Sequence, residues 1–171
     1  PQYFVRVLGK FPPRGGDYQL VPEWVLEGAA DVKPEEEKGR HLGLDVARSG
    51  DDMTVAVVSC DGVVESARAW KLDDLMETAK RTMQVAEEWG VEGKNIHVDM
   101  DGLGAGVIDR MREAGVVVDP VDFGGKPRGD WNWLIGSDMK LLNRRAELHW
   151  VGRMGLLNAQ FSVPRDFKKT L

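Results

Sequence analysis

Aspartates stand at the ends of two apolar segments of this sequence, where they are placed to act together. In "HLGLDVARSGDD", an alternating apolar stretch runs into Asp45, and a short turn then leads to Asp51 and Asp52. In "NIHVDMD", a second apolar stretch runs into Asp99. Carboxylates that lie close together repel each other unless a cation is bound between them, and Mg²⁺ and Mn²⁺ prefer oxygen ligands of this kind. The pattern indicates a metal-dependent phosphoryl-transfer site, although each aspartate alone is more typical of a strand end or a turn.

Strands and helices must bring these aspartates to one place, and the sequence predicts an alternation of both. In chain order the predicted elements are a helix at 22–30 with Pro22 in its first position, strands at 41–47, 54–60 and 62–70, a helix at 71–90, a strand at 95–101, a helix at 104–115, a strand at 116–123, a loop at 124–136, a helix at 137–155 with Ser137 as N-cap, and a short extended segment at 161–164. The dipeptide Asp61-Gly62 predicts a hairpin between the second and third strands. Two helices carry apolar stripes, one of Leu72, Leu75, Met76, Ala79, Met83 and Ala86 and the other of Val107, Ile108 and Met111.

Three antiparallel strands followed by alternating helices and parallel strands are the order of elements in ribonuclease-H-like folds. The predicted fold class is therefore α/β, with a mixed sheet and flanking helices. In such a sheet the first strand is central and lies parallel to the strand after the first long helix, so the carboxyl ends of the two strands meet. Asp45 and Asp99 occupy those two ends.

Length and composition indicate one globular domain. The chain has 171 residues, 42% hydrophobic and 30% charged, which suits a single buried core. Residues 1–40 are predicted to be a lead-in segment that packs on a domain over 41–171. No segment has the about 20 apolar residues of a membrane span, and the first residues lack the apolar core of a signal peptide. We therefore expect a soluble, intracellular protein with no membrane partner, in which Cys60, the only cysteine, packs within a strand.

Charge is distributed unevenly along the chain. The formal net charge is -5, which alone argues weakly against a nucleic-acid partner. Residues 120–171, however, contain nine Lys or Arg and five acids, which gives a net charge of +4. Residues 1–119 therefore carry a net charge of -9. Such an asymmetry is expected if carboxylates hold cations and a basic surface beside them holds a polyanion, but it also arises by chance.

Four segments, in this order and at these separations, resemble the C-terminal nuclease domain of the large terminase subunits of tailed bacteriophages. They are "LDVARSGDDMTVAVV", "VDMDGLGAGVIDRMREAG", "VDFGG" and "NRRAELHW". The lead-in "VRVLGKFPP" is similar to the linker that joins the ATPase to the nuclease in that family. The resemblance covers nearly the whole chain. It implies a ribonuclease-H-like endonuclease that cuts concatemeric viral DNA into genome lengths.

The resemblance also assigns roles to acidic residues. Asp45 and Asp99 match the first two catalytic acids, and Asp51 matches an acid after the first strand that helps to hold metal. In a two-metal mechanism Asp45 would bridge two divalent cations, Mg²⁺ or Mn²⁺, and Asp99 would bind one of them. The third acid of the family lies in an "SPD…ADA"-like motif, which nothing after Leu157 matches. We therefore expect that the chain lacks the C-terminal end of the domain.

Basic residues late in the chain are candidate contacts to DNA phosphates, which position a duplex without reading its sequence. They are Lys126 and Arg128 in a Gly-rich loop and Arg144 and Arg145 in "NRRAE". For one of the two neighbouring arginines, an ion pair with Glu147 or Asp138 is favoured over DNA contact. Trp131 and Trp133 are interpreted as anchors of a long loop, with a flap over the substrate as the alternative.

Partners follow from the resemblance. They are double-stranded DNA, the N-terminal ATPase domain of the same full-length protein, the portal and the small terminase subunit, in the cytoplasm of an infected bacterial host. No G-x-x-x-x-G-K-[ST] motif is present, so the ATPase is not expected within this chain. Two alternatives stay open: a non-catalytic DNA-binding or docking module of the packaging motor, and an actin-like or sugar-kinase-type nucleotide-binding fragment in which "DGLGAG" holds phosphate.

Overall fold

The structure is a computed structural model that describes residues 20–29, 39–47, 51–71, 74–131 and 140–164. Its elements are helix α1 (Glu23–Gly28), strands β1 (Arg40–Asp45), β2 (Thr54–Cys60) and β3 (Val63–Trp70), helix α2 (Leu75–Glu88), a 3₁₀ turn (Gly93–Asn95), strand β4 (Ile96–Asp99), helix α3 (Gly104–Glu113), strand β5 (Asp119–Val121) and helix α4 (Arg144–Leu157). Most of the predicted lead-in, together with Leu72, Trp133, Ser137, Asp138 and the segment after residue 164, lies outside the described residues.

The five strands form one mixed sheet in the order β3-β2-β1-β4-β5. β2 runs antiparallel to both β1 and β3, whereas β1, β4 and β5 are parallel. The hairpin between β2 and β3 turns at Asp61 and Gly62, whose φ angles of 47° and 80° are those that this dipeptide tolerates in a tight turn. The predicted α/β sheet, with the first strand at its centre, is confirmed.

One face of this sheet forms the hydrophobic core beneath helices α2 and α3. Alternate residues of the central strands point into it, because successive side chains of a strand lie on opposite faces. They are Leu42 and Leu44 of β1 and Ile96 and Val98 of β4, packed with the predicted α3 stripe of Val107, Ile108 and Met111. The same alternation leaves His41, Gly43 and Asp45 exposed on the other face of β1.

The predicted stripe on α2 is partly wrong. Met76 has 64% of its surface exposed, and the buried residues of the helix are Thr78, Ala79, Thr82, Val85 and Ala86. Two threonines were overlooked because a hydrophobic count treats them as polar. The Thr82 hydroxyl donates to the carbonyl of Thr78 over 2.8 Å, so it is buried without an unpaired donor.

The ends of several elements also differ from the prediction. α4 begins at Arg144 rather than at residue 137, because the side chain of Asn143 accepts from the Ala146 amide (2.9 Å) and caps the helix. β5 covers only residues 119–121 of the predicted 116–123. Pro22 is the N-cap of α1 and not its first residue. Cys60 is a buried thiol at the end of β2. Among the described residues, no helix is long and apolar enough to cross a membrane.

Candidate metal centre

Two carboxylates lie at the same edge of the sheet, because parallel strands carry them. β1 and β4 pair in parallel with Leu44 opposite Val98. Asp45 and Asp99 are the next residues of the two strands and the last of each. The strand pairing therefore puts these two side chains next to each other at the carboxyl edge of the sheet, on the face opposite the core.

Electrostatics at this edge oppose the charge of Asp45. Partial burial of its carboxyl among protein atoms raises the pKa of Asp45, and the negative charges of Asp99 and Asp52 raise it further. A bound cation would remove both penalties, since it replaces lost water and neutralises like charges. The chemistry of this donor set thus fits a hard divalent cation.

A glycine-rich turn fixes the Asp99 side of the edge. The carboxyl of Asp99 accepts from the Asp101 amide over 3.0 Å, and Gly102 then turns the chain with a φ of 67°. Helix α3 starts so close to β4 that a Cβ on Gly104 would lie 1.7 Å from the carbonyl oxygen of Asp99. The glycines of "DGLGAG" therefore have packing roles, which weakens their interpretation as a phosphate-binding loop.

The segment after β1 carries two neighbouring acids, Asp51 and Asp52, of which only Asp51 was predicted to hold metal. The Ala47 amide donates to the buried hydroxyl of Thr54 over 3.2 Å, which ties this segment to the start of β2. Asp51 is fully exposed and pairs with Lys71 at 3.1 Å. Asp52 is the acid whose charge acts on Asp45, and the sequence analysis did not select it. Two adjacent acids after a strand gave no signal to choose between them, and the predicted metal role of Asp51 stays a prediction.

A basic side chain of helix α4 reaches the same edge, and another is exposed in the segment after β5. Arg145 lies 3.7 Å from the carboxyl of Asp101 and over the ring of Phe123, 5.3 Å from its centroid. Its side chain keeps 59% of its surface exposed. Lys126, in the segment after β5, is exposed as well. Of the four predicted DNA contacts, Arg145 therefore presents an exposed cation beside the acidic edge, and Lys126 presents one in the segment after β5.

The other two arginines are held by protein groups. Arg144 forms an ion pair with Glu147 at 2.7 Å, and 16% of its side chain is exposed. The ion pair that the sequence analysis favoured for one of the two neighbouring arginines is thus present at Arg144. Arg128 is half exposed and donates to Asp119 and to the Pro120 carbonyl, each at 3.1 Å. DNA contact by either residue would have to compete with these partners.

Glu147 is a buried carboxylate that the sequence analysis did not identify as a functional residue. It accepts from the backbone amides of Arg128 and Gly129, from the indole of Trp131 and from the guanidinium of Arg144, at 2.6 to 3.2 Å. Burial raises its pKa, but the hydrogen bonds from Arg144, the two amides and Trp131 outweigh burial and lower the pKa to about 2. Glu147 therefore stays ionised at neutral pH. Apart from the ion pair with Arg144, no sequence pattern indicates its contacts.

A row of hydrogen-bonded ionisable groups crosses the open face behind the two aspartates. His41 Nδ1 lies 2.9 Å from His97 Nε2, and His97 Nδ1 lies 2.9 Å from a carboxyl oxygen of Asp119. The other oxygen of Asp119 accepts from Arg128. Burial and the neighbouring His97 lower the pKa of His41. His97 is thus engaged on both ring nitrogens, which gives it a structural role.

Among the described residues, no group of three or more His, Cys, Asp or Glu side chains is arranged to hold a metal ion. Asp45 and Asp99 form a pair of carboxylates at this edge, and the charge of Asp52 also acts on Asp45. Mg²⁺ commonly takes one or two protein carboxylates and completes its shell with water and phosphate oxygens.

Comparison with solved structures identifies the architecture. A mutant nuclease domain of the large terminase subunit of bacterial virus Sf6, with calcium, matches with a TM-score of 0.63 at 16% identity, over 86% of this chain and 74% of that one. A mutant of the same domain with manganese and β-thujaplicinol gives 0.62 at 20% identity, over 86% and 71%. The large terminase nuclease of thermophilic phage G20c, with bound magnesium, gives 0.54 at 15% identity, over 84% and 75%.

The chain has the fold of terminase nuclease domains. At these identities the likeness is one of fold, and the sequence resemblance drawn above is confirmed at that level. No protein-family model matches the sequence, and no curated protein matches it significantly.

Proposed function

We propose that this chain is the metal-dependent endonuclease domain of a viral DNA-packaging terminase, which hydrolyses phosphodiester bonds of double-stranded DNA with little sequence specificity. The observation that carries the proposal is the pairing of Asp45 and Asp99 at adjacent parallel strand ends, with the charge of Asp45 opposed by its surroundings. The terminase nuclease structures solved with manganese, magnesium or calcium support it.

Asp45 and Asp99 would hold the cations. When bound, two divalent ions, Mg²⁺ or Mn²⁺, supply an activated water and stabilise the leaving 3′ oxygen. Asp45 is the proposed bridging ligand because its strand is central and because Asp99 and Asp52 both act on it. Asp99 would bind one ion, held in orientation by the amide of Asp101. Asp51, which pairs with Lys71 at 3.1 Å, would be a further metal ligand.

DNA would lie across the carboxyl edge of the sheet. Lys126 and Arg145 are the proposed phosphate contacts on the exposed side, with Arg128 and Arg144 as weaker candidates because protein groups hold them. Contacts of this type position a duplex without reading bases. The proposed partners are the ATPase domain of the same full-length protein, the portal and the small terminase subunit, in the cytoplasm of the infected host.

A non-catalytic DNA-binding module is the second candidate function. The absence of a three-ligand metal group within the described residues favours it, because two carboxylates alone hold a cation less tightly than three. This candidate predicts that the chain binds DNA without divalent metal and does not cut it.

Nicking of supercoiled plasmid separates the two candidates. The chain is incubated with plasmid in Mg²⁺, Mn²⁺ or EDTA, beside Asp45→Ala, Asp99→Ala and the surface control Asp109→Ala, whose carboxyl pairs with Arg112 on α3. The nuclease proposal predicts metal-dependent nicking that both site variants lose and the control keeps. DNA binding in EDTA with no nicking in either metal would instead support the binding module.

A further inference from the structure

We propose that Glu147 is a positioning residue for DNA, which holds the basic loop (residues 124–131) against the start of α4 so that Lys126 and Arg145 together face the acidic edge. The inference rests on the proposed function and deepens it. It concerns a residue outside the metal centre whose buried charge organises the surface that receives phosphate.

The contacts of Glu147 all come from the parts that would form this surface. Its two oxygens accept hydrogen bonds from the backbone amides of Arg128 and Gly129 and from the indole of Trp131. These three residues belong to the last part of the basic loop. The carboxylate is fully buried. A buried carboxylate is stabilised only where several hydrogen-bond donors surround it. The same hydrogen bonds hold the donor groups in position.

The first part of the basic loop is joined to the same helix end. The Arg144 amide donates to the Gly125 carbonyl over 2.7 Å, and the Arg145 amide donates to the Phe123 carbonyl over 3.0 Å. Both ends of the basic loop are thus fastened to the first turn of α4. Lys126 lies between the two attachments, which restrict where its backbone can lie relative to Arg145.

This arrangement also connects the surface to the metal centre. β5 pairs with β4 so that Val121 lies opposite Asp99, and the basic loop starts just after it. Arg145 returns to Asp101, two residues beyond Asp99. Release of the loop would therefore move the phosphate contacts relative to the acids and leave the acids themselves in place on their strands.

Kinetics on plasmid or duplex substrate test the inference with two variants and one control. Glu147→Gln removes the charge at nearly constant volume, and Trp131→Phe removes one donor while keeping an aromatic ring. Glu65→Gln is the control, because Glu65 forms a partly buried ion pair with Arg40 (2.6 Å) at the opposite end of β1 from Asp45. KM, kcat, the Kd for duplex in EDTA and its salt dependence are measured for each.

We expect Glu147→Gln to raise KM and the Kd in EDTA about tenfold, with kcat within about twofold of wild type and a salt slope lowered by about 1, as for a lost phosphate contact. Trp131→Phe should change both constants in the same direction by about threefold, since one donor is lost. Glu65→Gln should leave KM and Kd unchanged.

Several results would overturn the inference. An unchanged KM in folded Glu147→Gln, or a fall in kcat alone, would show that Glu147 has only a structural role. If Glu147→Gln does not fold, Trp131→Phe decides, and an unchanged KM there overturns the inference. An equal rise of KM in Glu65→Gln would trace the effect to general destabilisation. A wild-type chain that neither cuts nor binds DNA would contradict the proposed function itself, whereas a wild type that cuts, with unaltered variants, contradicts this inference alone.

Discussion

Asp45 is the residue at which the fold and the proposed chemistry meet. Its pKa is raised by partial burial and by the charges of Asp99 and Asp52, so at neutral pH the folded chain carries a carboxylate that its surroundings disfavour. An acid whose pKa is raised on folding lowers stability at pH values above that pKa. This unfavourable charge is what a cation would relieve.

Removal of that charge gives the first prediction. Asp45→Asn should raise the melting temperature of the metal-free protein at pH 7 and abolish its stabilisation by Mg²⁺ or Mn²⁺. A ligand at about 100 times its Kd adds about 2.7 kcal/mol to the free energy of unfolding, so the wild type should respond clearly to metal. Thermal denaturation with EDTA or metal measures both effects, with Asp109→Asn as the surface control. A metal response equal to wild type in Asp45→Asn would contradict the assignment.

Glu147 gives a second prediction, because folding lowers its pKa whereas it raises the pKa of Asp45. Its pKa falls from 4.5 to about 2 on folding, so its carboxylate stabilises the fold above the unfolded pKa, and this contribution is lost as the pH falls from about 4.5 towards 2. Glu147→Gln should lower the free energy of unfolding by about 3 kcal/mol at pH 7, as when one partner of a buried ion pair is removed. Urea unfolding of both proteins at pH 7 and at pH 3 measures the difference. A difference that stays constant down to pH 3 would argue against the low pKa.

At the scale of elements, the carboxyl edge depends on how closely α3 approaches β4. Gly104 has no room for a side chain, whereas Gly152 on α4 has no atom within 4 Å of the place where a Cβ would lie. Gly104→Ala should therefore cost about 3 kcal/mol by overpacking and lower nicking activity, because Asp99 must shift. Gly152→Ala should raise stability by up to about 1 kcal/mol through helix propensity. Urea unfolding and nicking compare the pair, and a neutral Gly104→Ala would contradict the close approach.

Sequence periodicity predicted these elements better than their ends. The strands β1 to β4 and the topology follow from alternation, the Asp61-Gly62 turn and the α3 stripe, which are local signals. The start of α4 and the buried face of α2 were misplaced, because a capping Asn143 and hydrogen-bonded threonines act through specific contacts. Of the Glu147 cluster, only the ion pair with a neighbouring arginine was predicted, because Arg144 is three residues away. The other donors lie 16 to 19 residues away along the chain and could not be predicted.

At the scale of the whole molecule, the two charge regions of the sequence come together at one edge. The acids Asp45 and Asp99 belong to the acidic first part, and Lys126 and Arg145 belong to the basic last part. The strand order β1-β4-β5 and the attachment of α4 beyond β5 bring the parts side by side. Under the proposed function, a polyanion could then approach carboxylates whose charge bound cations would neutralise, despite a net charge of -5.

This arrangement predicts how DNA affinity depends on salt. Lys126→Gln and Arg145→Gln should each weaken duplex binding to a similar extent for unrelated sequences and lower the slope of log K against log salt by about 1. Lys80→Gln is the control and should have no effect, because Lys80 is exposed on α2 and pairs with Glu77. Fluorescence anisotropy at several salt concentrations measures these slopes. A sequence-dependent loss would indicate base contacts instead of phosphate contacts.

Anomalous diffraction from crystals of this chain grown with Mn²⁺, beside crystals of Asp45→Asn, tests the metal centre directly. Anomalous density is expected within coordination distance of carboxyl oxygens of both Asp45 and Asp99, and it should be lost in the variant. Density at other acids only, or none between these two aspartates at saturating Mn²⁺, would contradict a metal centre at the paired strand ends.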